Sequence, residues 1–302
     1  MGAASGYAGC MKPVRKAVIL AAGLGTRMLP VTKAVPKELL PIVDQPLIQY
    51  SVRECVDAGI EEIVIVLGPG KEAIAEHFAE RTRADAYARE KGDAGLIERV
   101  SGPARMARFH YAVQEEAKGI AHAVACAREF VVGEPFALLF PDDIIVGARS
   151  CVAQLVDAYA TTGGTTIAVQ CVPRADIPQY GIVVPGGEGN PVRLRGVVEK
   201  PSIEEAPSDL GIVGRYILSD TIFEHIDRIP PGKNGELQIT DAFASQLAAG
   251  EGVFGLAYEG TRHDTGRPLG YLVANVAVAL AREDLAGSLR ERLRSLLAPE
   301  AP

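Results

Sequence analysis

Residues 14–42 read VRKAVILAAGLGTRMLPVTKAVPKELLPI, and this stretch decides the fold. Its first part is mostly apolar, which predicts a buried strand over residues 14–22, and a loop with two glycines follows. Apolar residues at helical spacing then predict a helix over residues 46–58, and the run IEEIVIVL predicts a second strand over residues 60–67. A strand, a helix and a strand in this order predict a βαβ unit with parallel strands and a right-handed crossover.

The loop after the first strand has the chemistry of a phosphate-binding segment. Because glycine has no side chain, the backbone N–H groups of Gly23 and Gly25 can approach phosphate oxygens closely. Arg27 adds a planar, permanently charged fork, and Lys37 adds a mobile positive charge. The loop matches neither common phosphate motif, since a dinucleotide fingerprint needs glycine at Met28 and a Walker A loop needs a Gly-Lys-Ser/Thr that the stretch lacks.

Strands and helices alternate along the rest of the chain. Apolar patterning predicts strands over residues 109–113, 136–140, 165–172 and 253–258, and helices over residues 71–91, 121–130, 151–160, 219–226 and 240–249. Three further runs, GIVVP, RLRGVVEK and GIVGRYIL, predict strands in a more antiparallel layer between residues 181 and 218. The predicted fold class is α/β: a single Rossmann-like domain with a mixed, mostly parallel central sheet, helices on both faces and a helical C-terminus.

Composition narrows the class of protein. The chain has 302 residues, 48% of them hydrophobic, and a formal net charge of −7, which argues against a nucleic-acid-binding protein with a basic surface. No apolar run reaches the ~18 residues of a membrane span, and the five cysteines are widely spaced, as in reduced cytoplasmic proteins. We therefore expect a cytoplasmic protein without nucleic-acid or membrane partners, with a flexible leader at 1–12, one domain at 13–280 and a C-terminal helical extension at 281–302.

Two acidic residues follow a buried predicted strand. Asp142 and Asp143 come after FALLF at residues 136–140, and ligands of open α/β sheets bind outside the carboxyl ends of strands. Carboxylates there suit Mg²⁺, which prefers oxygen ligands, but an Asp pair can equally cap the next turn. The residues alone leave both interpretations open.

Several motifs together resemble one family of enzymes. They are LAAGLGTRMLPVTKAVPKELLPI (20–42), QEEAKGIAHAV (114–124), LFPDDI (139–144), QYGIV (179–183), VVEKP (197–201), GIVGRY (211–216), GELQITDA (235–242) and HDTGRPLGY (263–271). In this order they resemble the sugar-1-phosphate nucleotidylyltransferases, and TKAVPKELLP resembles the bacterial UTP–glucose-1-phosphate uridylyltransferases in particular. The resemblance implies a nucleotidyltransferase domain at 13–280 that uses Mg²⁺, UTP and α-D-glucose 1-phosphate to make UDP-glucose and pyrophosphate, in a homodimer or homotetramer.

The resemblance also implies roles for individual residues. It implies catalytic roles for Arg27, Lys37 and Lys200, and metal ligation by Asp142 and Asp264. The nucleotide-binding residues that it implies are Ala22, Gly23, Gly25, Thr26, Glu38, Gln114 and Gly119, of which Gln114 would read the pyrimidine edge. The sugar-phosphate-binding residues that it implies are Gly181, Glu199, Lys200, Val213 and Gly214.

The main departure from the family pattern is Ala121, where uridylyltransferases usually have glycine and thymidylyltransferases have alanine. A methyl group near the base or ribose could alter nucleotide choice, so a glucose-1-phosphate thymidylyltransferase using dTTP stays an alternative. A catalytically silent nucleotide-sugar-binding or regulatory protein is an alternative of another class. Such proteins usually lose the Arg, Lys and Asp positions that this chain retains, and Met28 argues against an NAD-dependent Rossmann enzyme.

Overall fold

The computed structural model describes residues 11–232 and 235–298. Its strands are β1 Lys16–Ala21, β2 Pro41–Ile42, β3 Gln45–Pro46, β4 Glu62–Leu67, β5 Arg108–Val113, β6 Phe136–Leu139, β7 Asp143–Val146, β8 Thr165–Cys171, β9 Gly181–Pro185, β10 Val192–Glu199, β11 Leu210–Leu218, β12 Val253–Ala257 and β13 Thr261–Asp264. Its helices are α1 Leu47–Asp57, α2 Glu72–His77, α3 Arg83–Lys91, α4 Ala94–Ser101, α5 Ile120–Cys126, α6 Arg128–Val131, α7 Cys151–Thr162, α8 Ile222–Ile226, α9 Ile239–Ala248, α10 Pro268–Ala281 and α11 Glu283–Leu297. Most of the predicted leader lies outside the described residues, and the domain boundaries remain predictions.

Nine strands form one mixed sheet in the order β5-β4-β1-β6-β11-β8-β12-β10-β9. The pairs β5–β4, β4–β1, β1–β6 and β8–β12 are parallel, as the predicted βαβ unit requires. By contrast, β11 runs antiparallel to β6 and β8, and β10 runs antiparallel to β12 and β9. The predicted antiparallel character of β9, β10 and β11 is confirmed, and β11 hydrogen-bonds between β6 and β8, so these strands extend the main sheet.

Helices cover both faces of this sheet. Along β1, Val18 belongs to an apolar cluster that includes residues of α5, α8 and α9, whereas Ala17 and Ile19 belong to a second cluster with residues of α1 and α7. Successive side chains of a strand point to opposite faces, so burial on both sides explains the continuous apolar run in β1. No described helix is both long and apolar enough to cross a membrane.

The helix predicted over residues 71–91 is divided into α2 and α3. Phe78, just after α2, is 4% exposed, and its ring stacks on Phe109 of β5 with centroids 4.5 Å apart, which draws the chain against the core. Thr82 then begins α3 with a capping box, because its hydroxyl accepts from Asp85 N–H while the Asp85 carboxylate accepts from Thr82 N–H. The helix predicted over residues 121–130 likewise divides into α5 and α6 at Ala127.

The glycine loop and its prolines form three short 3₁₀ turns instead of a helix. These turns are Thr26–Met28, Val31–Lys33 and Lys37–Leu39, and the prolines between them lack the N–H that helical bonding needs. Gly25 has φ 67°, and an added Cβ would lie 3.2 Å from side-chain carbons of Thr32 and Lys37. Glycine at this position therefore lets the segment that carries Lys37 fold back onto the loop after β1.

A small two-stranded sheet stands beside the main one. The strands β7 and β13 pair antiparallel, and Asp264 of β13 lies opposite Asp143 of β7. Patterning of the sequence predicted neither strand, because TRHD of β13 has no apolar residue and DIIV of β7 has an apolar run of only three. This pairing joins two acidic segments that lie far apart in the chain.

Candidate active site

A cavity of about 420 Å³ lies beside the end of β6 and along β11. Of the residues with predicted roles, it is lined by Arg27, Asp142, Gly181, Glu199, Lys200, Gly214 and Asp264. The fold therefore brings the predicted metal ligands, two of the three predicted catalytic cations and most of the predicted sugar-phosphate residues to one place.

The two carboxylates with a predicted metal role come from the small sheet and the loop before it. Asp142 directly precedes β7, and its carbonyl oxygen accepts hydrogen bonds at 2.8 Å from both the N–H and the hydroxyl of Thr265. The Asp264 carboxylate accepts from the N–H of Gly266 at 2.9 Å. These bonds fix the backbone around both aspartates, so that their side chains line the same cavity.

Positive charge surrounds Asp142. Lys37 Nζ lies 2.8 Å from Asp142 Oδ2, and Arg27 Nη2 lies 3.8 Å from the same oxygen. Burial raises the pKa of Asp142, but the attraction of Lys37 and Arg27 outweighs burial and lowers this pKa below its usual value. Burial likewise lowers the pKa of Lys37, and the attraction of Asp142 reverses that shift and raises it. Both groups are therefore charged at neutral pH.

Glu199 and Lys200, which have predicted sugar-phosphate roles, line the cavity side by side. Thr240 donates a hydrogen bond to Glu199 Oε2 at 3.1 Å, and Lys200 Nζ lies 3.2 Å from Glu199 Oε1. Lys200 has φ 45°, an uncommon backbone conformation for a non-glycine residue, and its N–H donates to the Tyr180 carbonyl at 3.1 Å. Gly181 packs close beside them, and a side chain there would require Glu199 to shift by a few tenths of an ångström, because an added Cβ would lie 3.2 Å from Glu199 Oε2.

Val213 does not contribute its side chain to the cavity. It is 1% exposed and belongs to the apolar core on the opposite face of β11, whereas Ile212 and Gly214 line the cavity. Alternation along the strand explains the difference, since neighbouring residues face opposite sides. Only the backbone of Val213 is available for the predicted contact with a sugar.

Glu38 is also removed from direct contact with a ligand. Its side chain is fully buried, and its two carboxylate oxygens lie 3.0 and 2.8 Å from Lys71 Nζ. Lys71 donates further hydrogen bonds of 2.6 Å to the carbonyls of Ala21 and Gly23. Burial raises the pKa of Glu38 and lowers that of Lys71, and their mutual attraction opposes both shifts. Glu38 therefore supports the glycine loop through Lys71.

The predicted phosphate loop, residues 22–26, is accessible to solvent. Gly23 and Thr26 are exposed, Ala22 and Gly25 are partly exposed, and an added Cβ on Gly23 would meet nothing within 4 Å. Because Lys71 binds the carbonyl of Gly23, this oxygen points to the protein side of the loop.

Gln114 and Gly119 lie together where β5 leads into α5. The Gln114 side-chain Nε2 donates to the Gly119 carbonyl at 3.1 Å and contacts His122 Nδ1 at 3.0 Å. Ala121, the departure from the family pattern, is fully buried in the apolar core, and its N–H donates to the Leu237 carbonyl at 2.9 Å. Its methyl group therefore packs in the core, which removes the physical reason to expect altered base selection.

The cavity also contains a hydrogen-bonded group that the sequence did not predict, in which Arg262 contacts both Asp143 and Tyr180. Arg262 Nε lies 2.6 Å from Asp143 Oδ1, and Arg262 Nη1 donates to the Tyr180 hydroxyl at 2.9 Å. Burial raises the pKa of Asp143 despite the attraction of Arg262. Strand spacing offered one signal, because Arg262 and Asp264 are two residues apart in TRHD and so share a face.

Known proteins of similar sequence identify the family of this chain. A family model described as nucleotidyl transferase matches residues 16–280, and the chain belongs to this family of nucleotidyl-transferring enzymes. Within it, the chain is 44% identical over 291 residues to a UTP–glucose-1-phosphate uridylyltransferase from Bacillus subtilis, covering 96% of this chain and 99% of the relative. A relative of the same name from Staphylococcus epidermidis is 41% identical over 287 residues, covering 95% of this chain and 99% of the relative. The predicted resemblance is thereby confirmed.

Solved structures show the same likeness. A UTP-bound UGPase from Acinetobacter baumannii is 32% identical with a TM-score of 0.86, covering 95% of this chain and 100% of that one. A UDP-glucose pyrophosphorylase complexed with UDP-glucose is 34% identical with a TM-score of 0.79, covering 89% of this chain and 100% of that one. The predicted fold class is confirmed.

Proposed function

We propose that the protein transfers a uridylyl group from UTP to α-D-glucose 1-phosphate, giving UDP-glucose and pyrophosphate. The observation that carries the proposal is that Lys37 and Arg27 surround Asp142, and that Asp142 and Arg27 line one cavity with the Glu199–Lys200 pair. The names of the relatives and the ligands of the similar structures support UTP and a glucose phosphate as the substrates.

The proposed reaction is a single displacement at phosphorus. An oxygen of the sugar phosphate attacks the α-phosphorus of UTP, the new P–O bond forms in line, and the bond to the bridging oxygen breaks as pyrophosphate leaves with its electrons. The protein has to align anionic groups that repel one another and to neutralise their charge. Arg27 and the open N–H groups of the glycine loop would hold the triphosphate, while Lys37 and Lys200 would neutralise the reacting phosphates.

The pair Asp142 and Asp264 fits a magnesium ion. Among the described residues no group of three or more His, Cys, Asp or Glu side chains is arranged to hold a metal. Mg²⁺ is nevertheless commonly bound by one or two carboxylates together with substrate phosphates and water, which suits two aspartates facing a phosphate site. Mg²⁺ held there would draw negative charge from the phosphate oxygens, and Lys37 and Arg27 keep Asp142 ionised for this role.

The sugar would lie at the opposite end of the cavity. Glu199 is a hydrogen-bond acceptor, and Thr240 restrains one of its oxygens, so its carboxylate can accept from sugar hydroxyls. Gly181 and Gly214 lack side chains on the walls of this end, which leaves room for the ring.

Pyrophosphate release tests the proposal directly. Purified protein is incubated with Mg²⁺ and glucose 1-phosphate and with UTP, dTTP, CTP or ATP in turn, and we expect the highest kcat/KM with UTP. The variant Asp142→Asn should lose at least about 10²-fold in kcat, since it removes a charge that the reacting phosphates need, while its circular dichroism stays native. The control Asp157→Asn alters a surface carboxylate paired with Arg149 and should keep full activity. Wild-type rates in Asp142→Asn, or no release with any nucleotide, would contradict the proposal.

We also propose a cytoplasmic homodimer or homotetramer. The described cysteines are all free, as in a reducing compartment. The helix α10 leaves Leu269 and Leu272 exposed at 74% and 61%, and α11 buries none of its residues, which leaves an apolar surface for a second copy. Light scattering coupled to size-exclusion chromatography measures the mass, and a monomer at micromolar concentration would refute the assembly.

A further inference from the structure

The amide of Gln114 is held in one orientation by its surroundings. Nε2 lies 3.1 Å from the carbonyl oxygen of Gly119 and 3.0 Å from Nδ1 of His122. A carbonyl oxygen can only accept a hydrogen bond, so the nitrogen end of the amide must face Gly119. The oxygen end, Oε1, receives no hydrogen bond from the described side chains or backbone.

The carbonyl of Gly119 is itself fixed. Gly119 has φ 99°, and an added Cβ would lie 2.5 Å from the Leu237 carbonyl oxygen. Leu237 N–H donates to the Lys118 carbonyl at 2.8 Å, and Ala121 N–H donates to the Leu237 carbonyl at 2.9 Å. Leu237 is therefore hydrogen-bonded both to the residue before Gly119 and to the second residue after it. The Gly119 carbonyl also accepts from Ala123 N–H at 3.1 Å at the start of α5. It cannot turn away without breaking the helix start.

His122 completes the arrangement on α5. Gln114 Nε2 carries two hydrogens; Gly119 accepts one, and Nδ1 of His122 is in position to accept the other. Accepting through Nδ1 requires the imidazole tautomer that carries its hydrogen on Nε2. Both donors of the amide are then used inside the protein, and only its acceptor is left for a ligand.

We propose that His122 is a specificity-determining positioning residue that makes Gln114 a pure hydrogen-bond acceptor toward the nucleobase. The inference rests on the proposed function, in which Gln114 reads a pyrimidine edge. Uracil and thymine carry a hydrogen on N3 and can donate it to Oε1, whereas N3 of cytosine is an acceptor and would face Oε1 without a hydrogen. The pair therefore selects pyrimidines with an N3–H donor and rejects cytosine.

The test compares UTP with CTP in three variants of the full chain. His122→Leu removes the acceptor and should lower the UTP:CTP ratio of kcat/KM by about 3- to 10-fold, the effect of one neutral hydrogen bond. His122→Asn places an amide oxygen near the position of Nδ1 and should restore most of the ratio. His77→Leu is the matched control, because His77 Nε2 contacts Gln49 Oε1 at 2.9 Å in another His–Gln pair, on α2 and α1, and the ratio should not change.

A UTP:CTP ratio of kcat/KM in His122→Leu equal to that of the wild type would overturn the inference. A ratio in His122→Asn no higher than that in His122→Leu would overturn it as well. Calorimetric binding of UTP and CTP without sugar phosphate separates this inference from the proposed function. A protein that releases no pyrophosphate but loses its UTP preference on His122→Leu refutes the function and keeps the inference. Nitrogen-15 spectra of the imidazoles, assigned with His122→Asn, give a reading independent of substrate: an unprotonated Nδ1 supports the inference, and a protonated Nδ1 refutes it.

Discussion

Replacement of Arg215 by methionine should destabilise the protein strongly, because this buried arginine pairs with a buried carboxylate of α1 and holds carbonyl groups beside the candidate active site. Arg215 is fully buried in β11, and its guanidinium lies 2.9 Å from the Glu54 carboxylate of α1. It also donates to the carbonyls of Phe140 at 2.7 Å, Gly214 at 2.9 Å and Asp143 at 2.6 Å. Two of these carbonyls flank Asp142.

The size of the effect follows from what Arg215→Met leaves unpaired. Glu54 is 8% exposed and would remain as a buried charge without its partner, and breaking such a pair costs about 3–5 kcal/mol. Glu54→Gln removes that charge and keeps an oxygen for the N–H of Val152, which donates to Glu54 Oε1 at 3.2 Å. The double variant should therefore lose only about 1–3 kcal/mol, the cost of the carbonyls left without a donor.

Urea unfolding followed by circular dichroism measures both variants, with Arg105→Met as the control. Arg105 pairs with Glu98 on the surface, where both side chains are at least half exposed, and should cost less than about 1 kcal/mol. The folded double variant should still lose up to about 10²-fold in kcat, since the segment carrying Asp142 no longer receives the hydrogen bonds of Arg215 to the carbonyls of Phe140 and Asp143. A cost below about 1 kcal/mol for Arg215→Met, or a double variant no more stable than the single one, would refute this reasoning.

Three further predictions use the same assays. Gly119→Ala should cost more than Gly59→Ala, because both have positive φ but only at Gly119 does an added Cβ meet a backbone oxygen, at 2.5 Å; equal costs in urea unfolding would refute this. Lys71→Met should cost about 3–5 kcal/mol, since it leaves the buried Glu38 carboxylate unpaired, and Glu38→Gln should recover most of that loss. Burial lowers the pKa of His77, so the unfolded chain binds a proton below about pH 6.5 that the folded chain binds only at lower pH. The free energy of unfolding should therefore fall from about pH 7.5 to 5.5, and His77→Leu should reduce that fall; an identical pH dependence would contradict it.

Much of this architecture could be read from local patterns. The strand β1, the helix α1 and the strand β4 lie within a few residues of their predicted bounds, because burial on both faces leaves a continuous apolar run and burial on one face leaves a helical period. The phosphate character of the loop could also be read from Gly23, Gly25 and Arg27, since these residue types are suited to anions wherever the chain places them.

Partners distant in sequence could not be read in this way. The strands β7 and β13 carry no usable period, so the pairing that places Asp264 opposite Asp143, the neighbour of Asp142 in the chain, became visible only in the folded chain. The same holds for Glu38, whose adjacent Lys37 reaches Asp142 while Glu38 itself is enclosed with Lys71. A residue type indicates which interactions a side chain can make, but burial and neighbours decide which of them it makes.

The sequence by itself determined the strands of the main sheet and most of the helices, the anion-binding loop and the resemblance to nucleotidylyltransferases. Only the tertiary structure decided that Val213 and Ala121 face the core, and that Gln114 meets His122 and the Gly119 carbonyl. The physical reason is that strand and helix periods arise from neighbours along the chain. The direction of a side chain and the use of its hydrogen-bonding atoms are fixed by contacts between segments.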